Sequence, residues 1–147
     1  MNRRFIALAA AALALSIAVC GGAFAEVRVR MAEEVSDLSN CDEFVASDSE
    51  FRTRVVFSAD RAVRDFKFLS LMMEGWDEKN DKALFTVEEL HSQPELTPER
   101  PLAVTLVFVG DLPNNGISYV DEAGATRRFA LATNESGEGD YLMLIDF

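Results

Sequence analysis

After residue 50, apolar and polar residues alternate with a period of two through most of this chain. Clusters of Gly, Pro, Asn, Asp and Ser interrupt the alternation at short intervals. Successive side chains of a strand point to opposite faces, so this is the pattern of strands with one buried face. Ahead of it, Glu26-Val27-Arg28-Val29-Arg30-Met31 predicts a first strand with Val27, Val29 and Met31 inward. Residues 51–57 predict another, with Phe51, Val55 and Phe57 on one face and Arg52 and Arg54 on the other. Further strands are expected over 63–73, 84–90, 102–109, 117–121, 126–132 and 141–147. Eight strands with no helical crossover between them argue against a parallel α/β sheet. They predict an all-β fold, a two-sheet antiparallel sandwich.

Residues 32–50, "AEEVSDLSNCDEFVASDSE", are ambiguous. Val35, Leu38 and Cys41 have helical spacing and would suit a short surface helix or loop. Residues 43–46 could instead add a short strand before Ser47-Asp48-Ser49 turns the chain.

Three strands break the alternation. Residues 102–109 are apolar on both faces except at Thr105, residues 68–73 except at Ser70, and residues 141–145 throughout. A sandwich strand normally keeps one face wet, so the outer faces of these strands need a cover. Residues 32–50, a second copy of the chain, or a different partner could supply it. Leu106 and Phe108 are the larger pair of their strand and are assigned to the inter-sheet core. Val107 and Val109 then fall on the outer face and become candidate binding residues.

The first 25 residues have the parts of a signal peptide: Arg3 and Arg4, an uncharged Ala/Leu-rich run to Val19, and the small-x-small triplet Ala23-Phe24-Ala25. The apolar run is shorter than a bilayer-spanning helix needs. Cleavage after Ala25 is expected, leaving 26–147 as one domain exported to the periplasm or the extracellular space. The segment also resembles a bacterial lipobox at Cys20, but that pattern wants a small residue where Val19 stands, so a lipid anchor is the weaker reading. Only Cys41 then remains, which excludes an intramolecular disulfide and leaves it either a buried apolar residue, the expected reading, or a reactive thiol.

The chain carries 14 basic and 25 acidic residues, a formal net charge of −11. Such a field repels nucleic acid and anionic lipid surfaces.

Candidate chemistry is sparse. His91 is the single histidine, in "ELHSQPE", without a nucleophile-elbow pattern near it; it reads as a surface residue at a strand end. One His and one or two Cys do not make a zinc site, and no cofactor is implied. Two acidic loops have the composition of calcium sites. The one beginning at Asp77 has Lys79 at a ligand position, and the one beginning at Asn134 has Ile145 where a bidentate Glu is needed, so both read as ordinary turns. Trp76, between Gly75 and a run of charges, is placed on a loop. There it would be either a ligand platform or a plug over the open end of the sandwich.

"LVFVGDLPNNGISYVDEAGATRRFAL" resembles the sheet-to-sheet crossing of fibronectin type III and other immunoglobulin-like domains. Leu112-Pro113, Gly116 and then Tyr119 match the segment in which a Tyr hydroxyl ties the corner back to the backbone. The hairpin around Glu122-Ala123-Gly124 matches the last hairpin of such folds, with Gly124 suited to a left-handed turn position. The likeness covers about thirty residues and extends to small exported bacterial proteins of this kind. It lacks the Cys pair and core Trp of a true immunoglobulin domain, and a further strand follows the expected last one. The resemblance implies the fold and the corner role of Tyr119; it implies no activity.

The functional expectation is a non-enzymatic interaction module binding a protein or a glycan, with Trp76, Val107 and Val109 as candidate contacts. A small carboxylate-dependent hydrolase and a self-assembling structural domain, a homo-oligomer, are the alternatives.

Overall fold

A computed structural model describes residues 24–147. The signal-peptide and Cys20 readings fall on residues 1–23, outside the described residues, except for the last two positions of the leader.

Among the described residues nine strands form two facing sheets. The four-stranded sheet has the order β1 (Val27–Met31), β3 (Thr53–Ala59), β6 (Leu102–Leu106), β2 (Asp42–Val45). The five-stranded sheet has the order β5 (Lys82–Leu96), β4 (Val63–Asp77), β7 (Asn115–Val120), β8 (Thr126–Thr133), β9 (Leu142–Asp146). The all-β sandwich is therefore as the alternation predicts. Every pairing is antiparallel but one: β2 runs parallel to β6.

The core lies between the sheets and is built by the predicted inward positions. Val27 and Val29 of β1, Val55 and Phe57 of β3, and Leu102, Val104 and Leu106 of β6 meet Phe66 and Phe68 of β4, Ile117 and Tyr119 of β7, and Leu131 and Leu142. Phe57 packs its ring 6.0 Å from Phe66 and 5.9 Å from Phe68. Phe108 packs against this core from just beyond β6, as expected of it.

Two extensions of the chain cover the outer faces. On the four-stranded sheet a single 3-10 turn, Ala32–Glu34, leads into a loop whose Val35, Leu38 and Cys41 pack over Val56 and Ala103. Residues 32–50 thus supply both things the sequence left open: an apolar lid without an α-helix, and then the short strand β2. Burial is the main reason the Cys41 thiol is pushed above its ordinary value.

On the five-stranded sheet the long β4–β5 hairpin covers its own sheet. Its register slips between Phe68 and Leu69 and again between Met73 and Gly75, the bulges that let a strand pair bend sharply. The distal half reaches back to the far edge: the Phe85 ring lies 5.0 Å from that of Phe147, and Lys82 Nζ lies 2.8 Å from Asp146 Oδ2. Leu69, Leu71 and Ala130 are buried beneath this contact. Gly116 is needed here, because a Cβ would run into the Phe129 carbonyl oxygen and the Leu71 side chain. Its role is close approach between neighbouring strands of the sheet.

Several element bounds differ from expectation. Phe51 has the right parity but precedes β3 and is 75% exposed, because residues 47–51 turn before the strand begins. The strand expected over 102–109 stops at Leu106. Val107 is only half-buried and Val109 is 65% exposed in the following loop, so neither lies under residues 32–50. The strand expected over 84–90 runs from Lys82 to Leu96 and includes Pro94, tolerated because β5 is an edge strand with a free side.

Candidate functional site

Each sheet has two edges, so the sandwich has two lateral seams. One runs between β2 and β5, the other between β1 and β9.

The β2–β5 seam is closed by side chains. Phe44 of β2 stacks on His91 of β5 at 4.7 Å and meets the edge of Phe68 at 6.1 Å. His91 Nε2 lies 3.1 Å from Gln93 Oε1. His91 therefore sits inside β5, half-buried, and not at a strand end on the open surface. It closes a seam; nothing about it resembles a catalytic base beside a nucleophile.

The β1–β9 seam is open. A groove of about 1160 Å³ runs along it. Its one wall is the whole of β1 together with Phe24, Ala25 and Glu26, and its other wall is the stretch Glu138 to Leu144. Tyr119, Arg127 and Phe129 line it from β7 and β8. Among the described residues β1 pairs only with β3 and β9 only with β8, so each wall carries an unpaired sheet edge, and the two strands lie beside each other.

The groove floor is aromatic and aliphatic. Tyr119 is 4% exposed and stacks on Phe129 at 5.9 Å with the rings 17° apart. Leu142 is buried and Leu144 half-buried beside it. Burial raises the Tyr119 phenol above its ordinary pKa, and the neighbouring Arg127 guanidinium offsets part of that rise. Arg127 is held by Asp121, whose Oδ2 lies 3.6 Å from Nε, and it covers the Phe24 ring at 5.7 Å.

The corner role predicted for Tyr119 is not what the structure shows. Among the described residues its hydroxyl makes no hydrogen bond to the Leu112–Gly116 segment. The ring is engaged instead in the groove floor, and Leu112 is exposed while Pro113 is half-buried. The buried link near that segment is made by Asn115, whose Nδ2 donates to the Leu69 carbonyl at 3.1 Å. The hairpin reading does hold. Gly124 has φ +80°, and Asp121 Oδ1 accepts the Ala123 and Ala125 N–H groups at 2.9 and 3.0 Å.

The remaining candidates do not converge on the groove. Trp76 is not on a loop and does not plug the sandwich; it lies in β4 opposite Ala83, near the hairpin end, and is 53% exposed. Trp76, Val107 and Val109 are absent from the groove lining. Both acidic loops are turns. Asp77 accepts from the Asn80 side chain and from the backbone of Asn80 and Lys79, which lowers its pKa, whereas Asn134 accepts the Ser136 N–H and donates its Nδ2 to the Glu138 carbonyl. Among the described residues no three His, Cys, Asp or Glu side chains are grouped to hold a metal ion, and no helix is long and apolar enough to cross a membrane.

No family model, curated protein or solved structure matches the chain.

Proposed function

We propose that the protein is an exported, non-catalytic binding module of immunoglobulin-like architecture, and that it takes a polypeptide partner in the β1–β9 groove. One observation carries the binding reading. Two sheet edges are left unpaired side by side along an aromatic-floored groove, while the opposite seam of the same sandwich is shut by stacked rings. Edges in natural sandwiches are usually blunted or covered.

The strand order supports the immunoglobulin-like part. With β2 and β9 set aside, β1-β3-β6 faces β5-β4-β7-β8, the arrangement of strands A-B-E against C′-C-F-G. Export is supported by the leader pattern and by the geometry at its end. Cleavage after Ala25 would give up one buried methyl group, below about 1 kcal/mol. It would turn the Glu26 amide, 2.7 Å from Asp60 Oδ1, into an ammonium paired with that carboxylate. Intact mass of the exported protein should begin at Glu26; a lipid-modified Cys20 would contradict this.

Affinity purification from the source organism tests the binding role. The wild-type protein should retain a protein partner that the Leu144→Asp variant, checked for folding by circular dichroism, loses. A partner kept equally by both would place binding elsewhere.

A further inference from the structure

Asn115-Gly116 is the single Asn-Gly step in the chain, and such a step has a chemistry of its own. In a flexible chain the glycine nitrogen, unhindered by a Cβ, attacks the carboxamide carbon of the preceding asparagine. The new C–N bond closes a five-membered succinimide, and the carboxamide nitrogen leaves as ammonia, taking up the proton of the glycine N–H. Water then opens the ring at either carbonyl and gives aspartate or isoaspartate.

The fold needs both residues of the pair and restrains both. Gly116 has no room for a Cβ against the Phe129 carbonyl oxygen and the Leu71 side chain. It pairs with Leu69 on one side and Ala130 on the other, so its N–H, the nucleophile, lies inside the ladder of a central strand. Asn115 is 9% exposed, and its Nδ2 donates to the Leu69 carbonyl at 3.1 Å. Leu69 stands at the register slip of the β4–β5 pairing, where a bulge disrupts the ladder and this side chain supplies a donor. The carboxamide is thereby tethered to β4. Just ahead of it, the Leu71 N–H donates to the Asn114 carbonyl at 3.0 Å and fixes the entry to β7.

We propose that Asn115 is a self-modification site gated by the fold. Held in β7 it persists, and each excursion that frees β7 from β4 exposes it to irreversible conversion. Neither product fits the place left for it. An ionised aspartate only accepts hydrogen bonds, so it would face the Leu69 carbonyl with nothing to donate and with a charge in a buried position. Isoaspartate routes the main chain through the former side chain and adds a carbon to β7, which shifts Ile117 and Tyr119 from their places in the core. A converted molecule opens more readily than an unconverted one, so unfolding becomes one-way with time.

Peptide mapping by mass spectrometry tests this, following Asn115 during incubation at mildly alkaline pH in buffer and in denaturing urea. Conversion in urea should be at least about a hundred-fold faster than in buffer, because opening a central strand draws on much of the global stability. Leu106→Ala lies in the facing sheet and leaves the Asn-Gly pair untouched. It should speed conversion in buffer at least about ten-fold and leave the rate in urea unchanged. Equal wild-type rates in buffer and urea, or an unchanged buffer rate in Leu106→Ala, would overturn gating by the fold. Molecules converted in urea and returned to buffer should melt at a lower temperature than unconverted ones carried through the same steps. Coincident melting curves would overturn the one-way consequence.

Discussion

The two seams of this sandwich begin from the same problem and end differently. Each brings the edge of one sheet beside the edge of the other. At the β2–β5 seam, Phe44 and His91 stack across the gap and Phe68 backs them from the core. At the β1–β9 seam Tyr119 and Phe129 stack on each other, Leu142 and Leu144 join them and Val27 and Val29 in the core, and a groove remains along the seam. The chain has short segments to spare, since it lays one over the outer face of each sheet. That it covers both outer faces and shuts one seam makes the open seam the feature in need of a function.

The comparison can be broken by opening what is closed. Phe44→Ala removes both ring contacts at the shut seam and should cost roughly 2–3 kcal/mol in chemical denaturation, below a fully buried Phe because Phe44 is half-exposed. Leu144→Ala, at matching depth in the open seam, should cost about 1 kcal/mol, because much of its surface is already wet. An equal loss for the two would mean that the seams do not differ energetically. His91→Ala should fall between about 0.5 and 1.5 kcal/mol, the worth of an aromatic pair, and His91→Phe should restore it.

The smallest effect is expected at Tyr119. Its hydroxyl has no corner hydrogen bond to lose, so Tyr119→Phe should change stability at neutral pH by less than about 0.5 kcal/mol. The distinction appears in alkali. Burial favours the neutral phenol and raises its folded pKa, so this stabilisation is complete below the unfolded value near 10. It is lost as pH rises from there through the folded value. The wild-type protein should therefore lose more stability above about pH 10 than the Phe variant does. Parallel alkaline titrations of both by circular dichroism would show otherwise if the curves coincide.

Much of the fold was legible from alternation because a half-buried strand writes its inner face directly into the sequence. Val27, Val29, Val55, Phe57, Leu102 and Leu106 are all where the pattern puts them. Two of the three doubly apolar strands signalled covered outer faces correctly, with Ala103 under the lid and Leu69 and Leu71 under the folded-back hairpin. Over 141–145, by contrast, Tyr141, Met143 and Ile145 are exposed, because β9 is an edge strand that the hairpin reaches only at Asp146 and Phe147. What alternation cannot encode is which edges meet. The groove joins β1, near the start, to β9, at the end, and depends on a strand order that local pattern leaves open. Trp76 attracted notice by residue type, yet hairpin length places it far along β4. Tyr119 was singled out by spacing and proved important as groove floor in place of corner tie. Val107 and Val109 are misplaced because β6 ends at Leu106, four residues before Gly110 takes a φ of +67° in the connecting loop that carries Val109.

A photo-crosslinking scan in the source cells tests the contrast between the seams most directly. A photoreactive residue would replace, one at a time, Arg30 and Leu144 at the open seam and Val45 and Leu90, both exposed, at the closed one. The account expects one and the same protein adduct from positions 30 and 144 and none from 45 and 90. Adducts from the β2–β5 positions with none from the β1–β9 positions would contradict it.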